Sequence, residues 1–206
     1  SLIMTPTDIL VTGGSGGIGW ALCKSLRERG HTVVNFDRVA PPEAGVTHFV
    51  EVDMADPAQL ATALGKASAT FAFTGLVNNV ATLRPASLEE TSLDDFDKQI
   101  DVNVRAALQC TQALVPGMRA ARHGRIVNIS SAGAFLGSVV ADVAYGVSKA
   151  GMIALTKVVA KRFAIEGIYA NAIAPGSIDT PMTDSFGPDV REDFAKVCPL
   201  QRQGRP

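Results

Sequence analysis

A cluster of glycines directly after an apolar segment is the feature of this sequence that most restricts its fold. Asp8 to Thr12 (DILVT) has the composition of a buried strand, and Ile18 to Arg29 is predicted to be a helix that Gly30 ends. Five of the seven residues 13–19 are glycines, which allow a tight turn and leave the backbone open to a ligand. Because a helix N-terminus offers unpaired N–H groups, this arrangement predicts a pyrophosphate-binding turn rather than an ordinary glycine-rich turn.

The spacing of these glycines fits more than one dinucleotide-binding pattern. The turn satisfies G-x-G-x-x-G, T-G-x-x-G-x-x-G and T-G-x-x-x-G-x-G at the same time. It therefore predicts a dinucleotide site without deciding between the branches of proteins that use these patterns.

The rest of the chain alternates between strand-like and helix-like segments. The predicted strands are Thr32 to Phe36, Thr47 to Val52, Thr74 to Asn78, Arg125 to Ile129 and Tyr169 to Ala174. The predicted helices are Pro57 to Gly65 with Asp56 as N-cap, Leu93 to Arg119 with fraying at Pro116-Gly117, and Asp142 to Glu166. Such alternation predicts an α/β fold of the Rossmann type, a doubly wound parallel sheet with helices on both faces. Ligands bind at the carboxyl ends of its strands.

Composition limits the domain count and the classes of partner. The chain has 206 residues, of which 47% are hydrophobic and 19% charged, enough for one sizeable domain spanning 1–206. A net charge of −1 gives no reason to expect nucleic acid or membrane as a partner, and we expect no run of the roughly 20 apolar residues that span a bilayer. The three scattered cysteines indicate reduced thiols in a cytoplasmic protein, and no metal site is expected.

The end of the second strand bears on the choice of cofactor. Asp37 follows the glycines by about 20 residues, where a carboxylate binds the adenosine ribose hydroxyls and repels a 2′-phosphate. Arg38 beside it could instead accept that phosphate. Since the glycine turn contains no Arg or Lys, we expect NAD rather than NADP; the alternative is that Asp37 merely caps a turn.

A tyrosine and a lysine on one predicted helix form the candidate reacting group. Tyr145 and Lys149 lie four residues apart and so share a helix face. A lysine ammonium favours the phenolate, so we expect it to lower the pKa of Tyr145 toward neutrality. Ser131 follows the fifth strand, where its hydroxyl could donate a hydrogen bond to a carbonyl oxygen. Each feature alone is also found on ordinary helices and turns. Their order along one sheet edge favours a catalytic site over coincidence.

With these motifs together, the sequence resembles the short-chain dehydrogenase/reductase family in its compact single-domain branch. The resemblance extends from Ile9 to Pro206 and implies a catalytic tetrad of Asn103, Ser131, Tyr145 and Lys149. Ser130 is the alternative serine, because the gap before Tyr145 is one residue longer than usual. The implied cofactor contacts are Gly13, Ser15, Gly17, Ile18, Gly19, Asp37, Arg38, Asp53, Met54, Asn79, Val80, Ala81, Tyr145, Lys149, Pro175, Gly176, Ile178 and Thr180.

The resemblance also sets expectations for the substrate side. Family members usually continue into a last helix and a seventh strand, whereas this sequence has six strands and stops at Pro206. A small substrate lobe is expected at about 180–198. The candidate pocket residues are Leu83, Ser131, Phe135, Leu136, Val139, Val140, Tyr145, Met182 and Phe186. Their mostly apolar character suits a secondary alcohol or ketone on a hydrophobic body, and plain packing is the alternative.

The resemblance implies hydride transfer between NAD(H) and a secondary alcohol or ketone, with Tyr145 as general acid and base. Within the family, a 3-oxoacyl reductase and a cyclic-diol dehydrogenase are the alternatives. Outside it, a dinucleotide-sensing protein or a structural subunit would keep the fold without turnover. The long helices Leu93 to Arg119 and Asp142 to Glu166 are expected to pair across a homodimer or homotetramer.

Overall fold

The computed structural model describes residues 6–137, 141–184 and 186–206, and these form one parallel sheet covered by helices on both faces. The strands are β1 (Asp8–Thr12), β2 (Thr32–Asp37), β3 (His48–Glu51), β4 (Phe73–Asn78), β5 (Gly124–Ile129) and β6 (Ile168–Ile173). They lie in the order β3-β2-β1-β4-β5-β6, with all neighbours parallel. The order reverses between β1 and β4, which opens a crevice at their carboxyl ends where ligands bind.

Helices fill the connections between these strands. The helices are α1 (Gly17–Glu28), α2 (Pro57–Thr70), α3 (Leu93–Ile100), α4 (Ala106–Ala121), α5 (Gly133–Leu136), α6 (Val143–Phe163), α7 (Pro181–Asp184) and α8 (Pro188–Val197). The predicted fold class is confirmed, and all six strands lie within a few residues of their predicted bounds. The sequence patterns missed the short helices α5, α7 and α8, which are too short for a helical period to be recognised.

The predicted helix from Leu93 to Arg119 is wrong in its continuity. A π-helical turn at Asp101–Arg105 separates α3 from α4. Pro116 lies inside α4, which continues to Ala121, so the predicted fraying there is also wrong. Local π turns occur frequently at functional sites.

Two hydrophobic clusters, one on each face, hold the helices to the sheet. The larger lies between the sheet and the α2, α4 and α6 side, with Leu10, Phe36 and Ile126 fully buried. The smaller contains Cys23 of α1 together with Val11 and Val33 of the sheet. Both faces are covered, which explains why the central strands are nearly continuous apolar runs.

Helix α6 with its following turn, Val143–Glu166, bears on the expectation that the chain has no apolar run long enough to span a bilayer. Within the described part of the chain it alone is long and apolar enough, by length and composition, to cross a membrane. It nevertheless packs on β5, β6 and α3 and buries Ser148, Lys149 and Thr156. Of its most apolar window, 33% is buried within the described structure.

Candidate active site

The glycine turn lies between the end of β1 and the start of α1. Gly13 has φ +67°, a conformation that favours glycine. A Cβ at Gly19 would stand 2.0 Å from the Gly13 carbonyl oxygen, so α1 approaches the turn as closely as only glycine permits. Gly16, the N-cap of α1, makes no side-chain capping bond. The first turn of α1 thus offers backbone N–H groups without a side-chain cap, which fits a pyrophosphate.

Asn35 supports this turn from the neighbouring strand, and the sequence motifs did not identify it. It is fully buried on β2. The Gly14 N–H donates to its Oδ1 at 2.9 Å, and its Nδ2 donates to the Ser15 hydroxyl at 2.9 Å. The available signal was a polar amide in the middle of an otherwise apolar strand, since a buried amide requires partners.

Asp37 lies beside the turn at the carboxyl end of β2. Its carboxylate accepts hydrogen bonds from the Ser15 N–H at 3.0 Å and the Val39 N–H at 3.3 Å. Its register partner on β3 is Glu51, so two carboxyl side chains occupy adjacent positions at this sheet edge.

An open pocket of about 430 Å³ adjoins these carboxylates. Its lining residues are Arg38, Glu51, Val52, Asp53 and Gln59. Met54 is 3% exposed and packs in the larger core cluster, so its side chain faces away from this pocket and only its backbone could contact a ligand.

The segment after β4 closes the turn from the other side. Asn79 donates through Nδ2 to the carbonyl oxygens of Thr12 and Gly13, at 3.0 and 2.9 Å. The Val80 N–H donates to the Thr12 hydroxyl at 3.1 Å. Val80 thereby borders the turn, and both Val80 and Ala81 are half-buried.

Tyr145 and Ser131 meet at the carboxyl end of β5. Tyr145 lies in the first turn of α6, and its phenol is close enough to Ser131 for the serine side chain to influence its pKa. Burial raises the pKa of Tyr145 above its usual value, and the Ser131 side chain opposes this rise. Ser130 is turned away, because its hydroxyl donates to the Lys149 carbonyl oxygen at 2.7 Å. The structure thus brings Ser131, the serine chosen from the resemblance, to the tyrosine.

Lys149 lies one turn along α6 and is 2% exposed. Its Nζ donates to the Ile129 carbonyl oxygen at 2.8 Å and is 5.7 Å from the Tyr145 ring centroid. Burial lowers the pKa of Lys149 to about 8. The expected lowering of the Tyr145 pKa by this lysine is wrong for the structure as it stands, because desolvation of the phenolate outweighs other influences.

Asn103 lies in the π turn and connects two segments of the site. Its Nδ2 donates to the Thr82 carbonyl oxygen at 2.9 Å and to the Ser148 hydroxyl at 3.0 Å. Its Oδ1 accepts from the Thr82 N–H at 2.8 Å. The Ser148 hydroxyl in turn donates to the Tyr145 carbonyl oxygen at 2.8 Å. Ser148 was not identified from the sequence, although it lies between the two motif residues.

The segment after β6 lies over the glycine turn. The Ala132 N–H donates to the Pro175 carbonyl oxygen at 2.8 Å. A Cβ at Gly17 would be 3.2 Å from Thr180 Cγ2, which brings Thr180 next to the turn. Gly204 pairs with Ile178, one of the implied cofactor contacts, in a parallel bridge. Gly176 lies between these points.

The structure brings only some of the predicted pocket residues to the candidate site. Phe135 and Leu136 on α5 are 70% and 84% exposed, and Met182 on α7 is 37% exposed. Leu83 and Phe186 are half-buried. Val139 and Val140 lie outside the described residues. The exposed apolar side chains of α5 and α7 lie at the edge that carries Ser131 and Thr180, so they can contact a substrate.

Comparison with known proteins agrees with this geometry. Residues 7–191 match the family described as short chain dehydrogenase. The chain is 34% identical to the 3-oxoacyl-[acyl-carrier-protein] reductase FabG of Thermotoga maritima, covering 96% of this chain and 84% of that protein. It is 33% identical to the oxidoreductase UcpA of Escherichia coli, covering 98% and 84%.

Solved structures share the same fold. A putative NAD(P)-dependent gluconate 5-dehydrogenase from Beutenbergia cavernae, solved with bound NADP, superposes with a TM-score of 0.93 at 28% identity, covering 100% of this chain and 87% of that one. The ligand-free aldohexose dehydrogenase of Thermoplasma acidophilum gives 0.89 at 28% identity, covering 98% and 82%. The matched family, the relatives and the site geometry agree, and the chain belongs to the short-chain dehydrogenase/reductase family of NAD(P)-dependent oxidoreductases.

Proposed function

We propose that this protein transfers hydride between NAD(H) and a secondary alcohol or ketone, with Tyr145 as the proton-transferring residue. The observation that carries the proposal is the placement of Tyr145 next to Ser131 at the sheet edge that also carries the glycine turn. A sensor or structural subunit needs no such group. The buried Lys149 and the Asn103–Ser148 bond complete the set.

The side chains divide the chemistry as follows. Ser131 donates a hydrogen bond to the substrate oxygen, and Tyr145 gives that oxygen a proton during ketone reduction or takes one during alcohol oxidation. Because burial raises the Tyr145 pKa, the phenol is protonated at neutral pH, the form that donates. Lys149 would bind the ribose of the cofactor. Asn103 would anchor a water that relays the proton to solvent. The bound nicotinamide supplies the acceptor or donor of hydride.

The choice of NAD over NADP rests on charge at the ends of β2 and β3. Asp37 and Glu51 lie in register, and both would repel a 2′-phosphate. Arg38 is the opposing influence, since it lines the adjoining pocket. The remaining cofactor contacts would come from the glycine turn, Asp53, the Met54 backbone, Asn79 to Ala81, and the segment from Pro175 to Thr180.

The substrate side favours an apolar body next to the reacting carbon. Phe135, Leu136 and Met182 are exposed beside the Ser131 edge. The relative named 3-oxoacyl-[acyl-carrier-protein] reductase makes that activity the second candidate, and a cyclic-diol dehydrogenase is the third. A cytoplasmic homodimer or homotetramer is the proposed assembly; Val147 and Val158 on α6 and Leu108 on α4 are exposed apolar residues available to it.

The test is a direct assay of hydride transfer. The protein is incubated with NAD or NADP against secondary alcohols, cyclic diols, gluconate and aldohexoses, and with the reduced cofactors against 3-oxoacyl thioesters, while reduced-nicotinamide absorbance is followed. Turnover that Tyr145→Phe abolishes is the expected result. A Tyr145→Phe protein that keeps its turnover contradicts the proposed role, and reduced cofactor that binds without any turnover favours the sensor.

A further inference from the structure

Asp142 is a buried carboxylate at the start of the helix that carries Tyr145. It is 2% exposed, and its Oδ1 accepts a hydrogen bond from the backbone N–H of Tyr145 at 3.0 Å. It is therefore the N-cap of α6, where the helix dipole also favours a negative charge. The capped N–H belongs to the reacting residue itself.

The second oxygen of Asp142 binds a side chain from another helix. Gln99 on α3 is 3% exposed, and its Nε2 donates to Asp142 Oδ2. Among the described residues the Gln99 Oε1 is buried without a hydrogen-bond partner. Burying an unpaired amide oxygen is unfavourable, so stability alone is a poor reason for glutamine at this position. The bond to Asp142 is what Gln99 contributes.

The other end of the Tyr145 backbone is held from the same helical segment. Its carbonyl oxygen accepts from Ser148, which accepts from Asn103. Gln99 and Asn103 are four residues apart and span the junction of α3 with the π turn. One segment therefore controls both the N–H and the C=O of Tyr145, through Asp142 and Ser148 respectively.

The loop after β4 contacts both the start of α6 and Asn103. The Asp142 N–H donates to the Arg84 carbonyl oxygen at 3.0 Å, and Pro85 bridges to Ala141. Thr82 in the same loop is bonded twice to Asn103. The start of α6, the loop 82–85 and the α3 segment thus hold one another in place.

We propose that Gln99 and Asp142 are positioning residues that aim the Tyr145 phenol at Ser131. This inference rests on the proposed function of Tyr145. The pair acts through the backbone of Tyr145 rather than on substrate. Its effect on turnover should therefore exceed what the loss of a helix cap does elsewhere in the molecule.

Asp56 provides a matched control for the capping effect. It caps α2 by accepting from the Ala58 and Gln59 N–H groups at 2.9 and 3.0 Å, and it is exposed. Asp56→Ala removes a cap of the same chemistry away from Tyr145. Equal losses of turnover in Asp142→Ala and Asp56→Ala would overturn the positioning role.

A readout without substrate comes from the tyrosine count. The chain has two tyrosines, Tyr145 and Tyr169, so fluorotyrosine labelling yields two fluorine NMR signals that Tyr169→Phe assigns. We expect Asp142→Ala to shift or broaden the Tyr145 signal and Asp56→Ala to leave it in place. An unmoved Tyr145 signal in folded Asp142→Ala overturns the proposal, whether or not a substrate is known.

Kinetics provide the second readout. With a substrate from the panel, Asp142→Ala should lower kcat on the order of 10- to 100-fold, because a misplacement of about 1 Å can cost about 100-fold. Gln99→Leu should lower it by about threefold to tenfold, since the cap remains. NADH affinity should stay within about twofold in both variants, which separates positioning from cofactor binding.

A conservative variant keeps the test valid if Asp142→Ala folds poorly. In Asp142→Asn the amide oxygen can still accept from the Tyr145 N–H. Gln99 can then rotate its amide so that its free Oε1 accepts from the new NH₂ group. Asp142→Asn should restore kcat and the Tyr145 signal, whereas Asp142→Asn with Gln99→Leu should not. Retained turnover in Tyr145→Phe would instead count against the proposed function alone.

Discussion

The proposed site has a cofactor half, around the glycine turn, and a catalytic half, around Tyr145, and the two are held together in different ways. The glycine turn is one run of consecutive residues that is held from both sides, by Asn35 and Asp37 on β2 and by Asn79 after β4. The catalytic half has no such continuous run, because bonds between Asn103 and Ser148 and between Gln99 and Asp142 join side chains on separate helical segments, 45 and 43 residues apart. The cofactor half is therefore centred on a local backbone motif, and the catalytic half is an assembly of separate side chains.

The two halves should therefore be sensitive to different substitutions. The turn depends on backbone conformation and on the absence of side chains, so a methyl group added at Gly19 should disrupt it. The catalytic half depends on buried amides and hydroxyls whose partners are fixed by packing. Four substitutions distinguish the two halves.

Replacing the phenol that we propose transfers the proton should affect only the catalytic half. Tyr145→Phe is expected to lower kcat by about 10³-fold, within the usual range for general acid–base catalysis, and to leave NADH affinity unchanged. The measurement is turnover beside NADH fluorescence titration. Tyr169→Phe is the matched control, because Tyr169 is the other tyrosine and is exposed on β6. A loss of activity in the control would break the distinction.

Lys149 should destabilise the folded protein although the proposed reaction requires it. Its pKa falls from 10.5 to about 8 on burial, which corresponds to on the order of 3 kcal/mol of destabilisation while the amine is charged. Below pH 8 both folded and unfolded states hold the proton, so the full cost is present. Between pH 8 and 10.5 the unfolded state holds more protons, so stability rises with pH.

Comparing Lys149→Met with the parent protein tests whether stability rises with pH in this range. The free energy of unfolding is measured for both proteins by denaturant titration. The value for the parent minus the value for Lys149→Met should increase as pH rises from about 8 to 10.5. Titrations of other groups cancel in the difference. A difference that stays constant across this range contradicts the buried ammonium. Turnover should be lost in Lys149→Met at every pH.

Adding a methyl group to the glycine turn should damage the cofactor half. Gly19→Ala would put a Cβ 2.0 Å from the Gly13 carbonyl oxygen, and overpacking of this kind costs about 1–3 kcal/mol. Thermal unfolding and NADH binding should both weaken. Gly65→Ala, in open space within α2, is the control and should stabilise by up to about 1 kcal/mol. Undiminished NADH binding in Gly19→Ala would place the cofactor elsewhere.

Charge at the ends of β2 and β3 should control cofactor choice. Asp37→Ser is expected to raise the NADP to NAD ratio of kcat/KM by about tenfold or more, and Glu51→Gln to raise it by less, because like charges placed together cost several kcal/mol. Glu43→Gln removes the same charge from an exposed loop and should leave the ratio unchanged. A ratio that already favours NADP in the parent protein would contradict the proposed preference for NAD.

Much of the fold was predictable because its signals are local. The apolar strands, the glycine turn and the Asp56 cap each depend on residues adjacent in the sequence. The π turn at Asp101–Arg105 was not predicted, since its sequence, DVNVR, contains neither Gly nor Pro to interrupt the helical pattern. Helices α5 and α7 were missed because four residues are too few to show a helical period, and α8 has only ten residues.

Local sequence patterns were enough to predict the parallel α/β architecture and the glycine turn, and the family resemblance predicted the set Asn103, Ser131, Tyr145 and Lys149. Which serine lies next to Tyr145, and in which direction burial moves the Tyr145 pKa, depended on the packing of the folded chain. The same packing brings Gln99 to Asp142. Hydrogen bonding and desolvation depend on distances between segments that lie far apart in the sequence, and only the fold sets those distances.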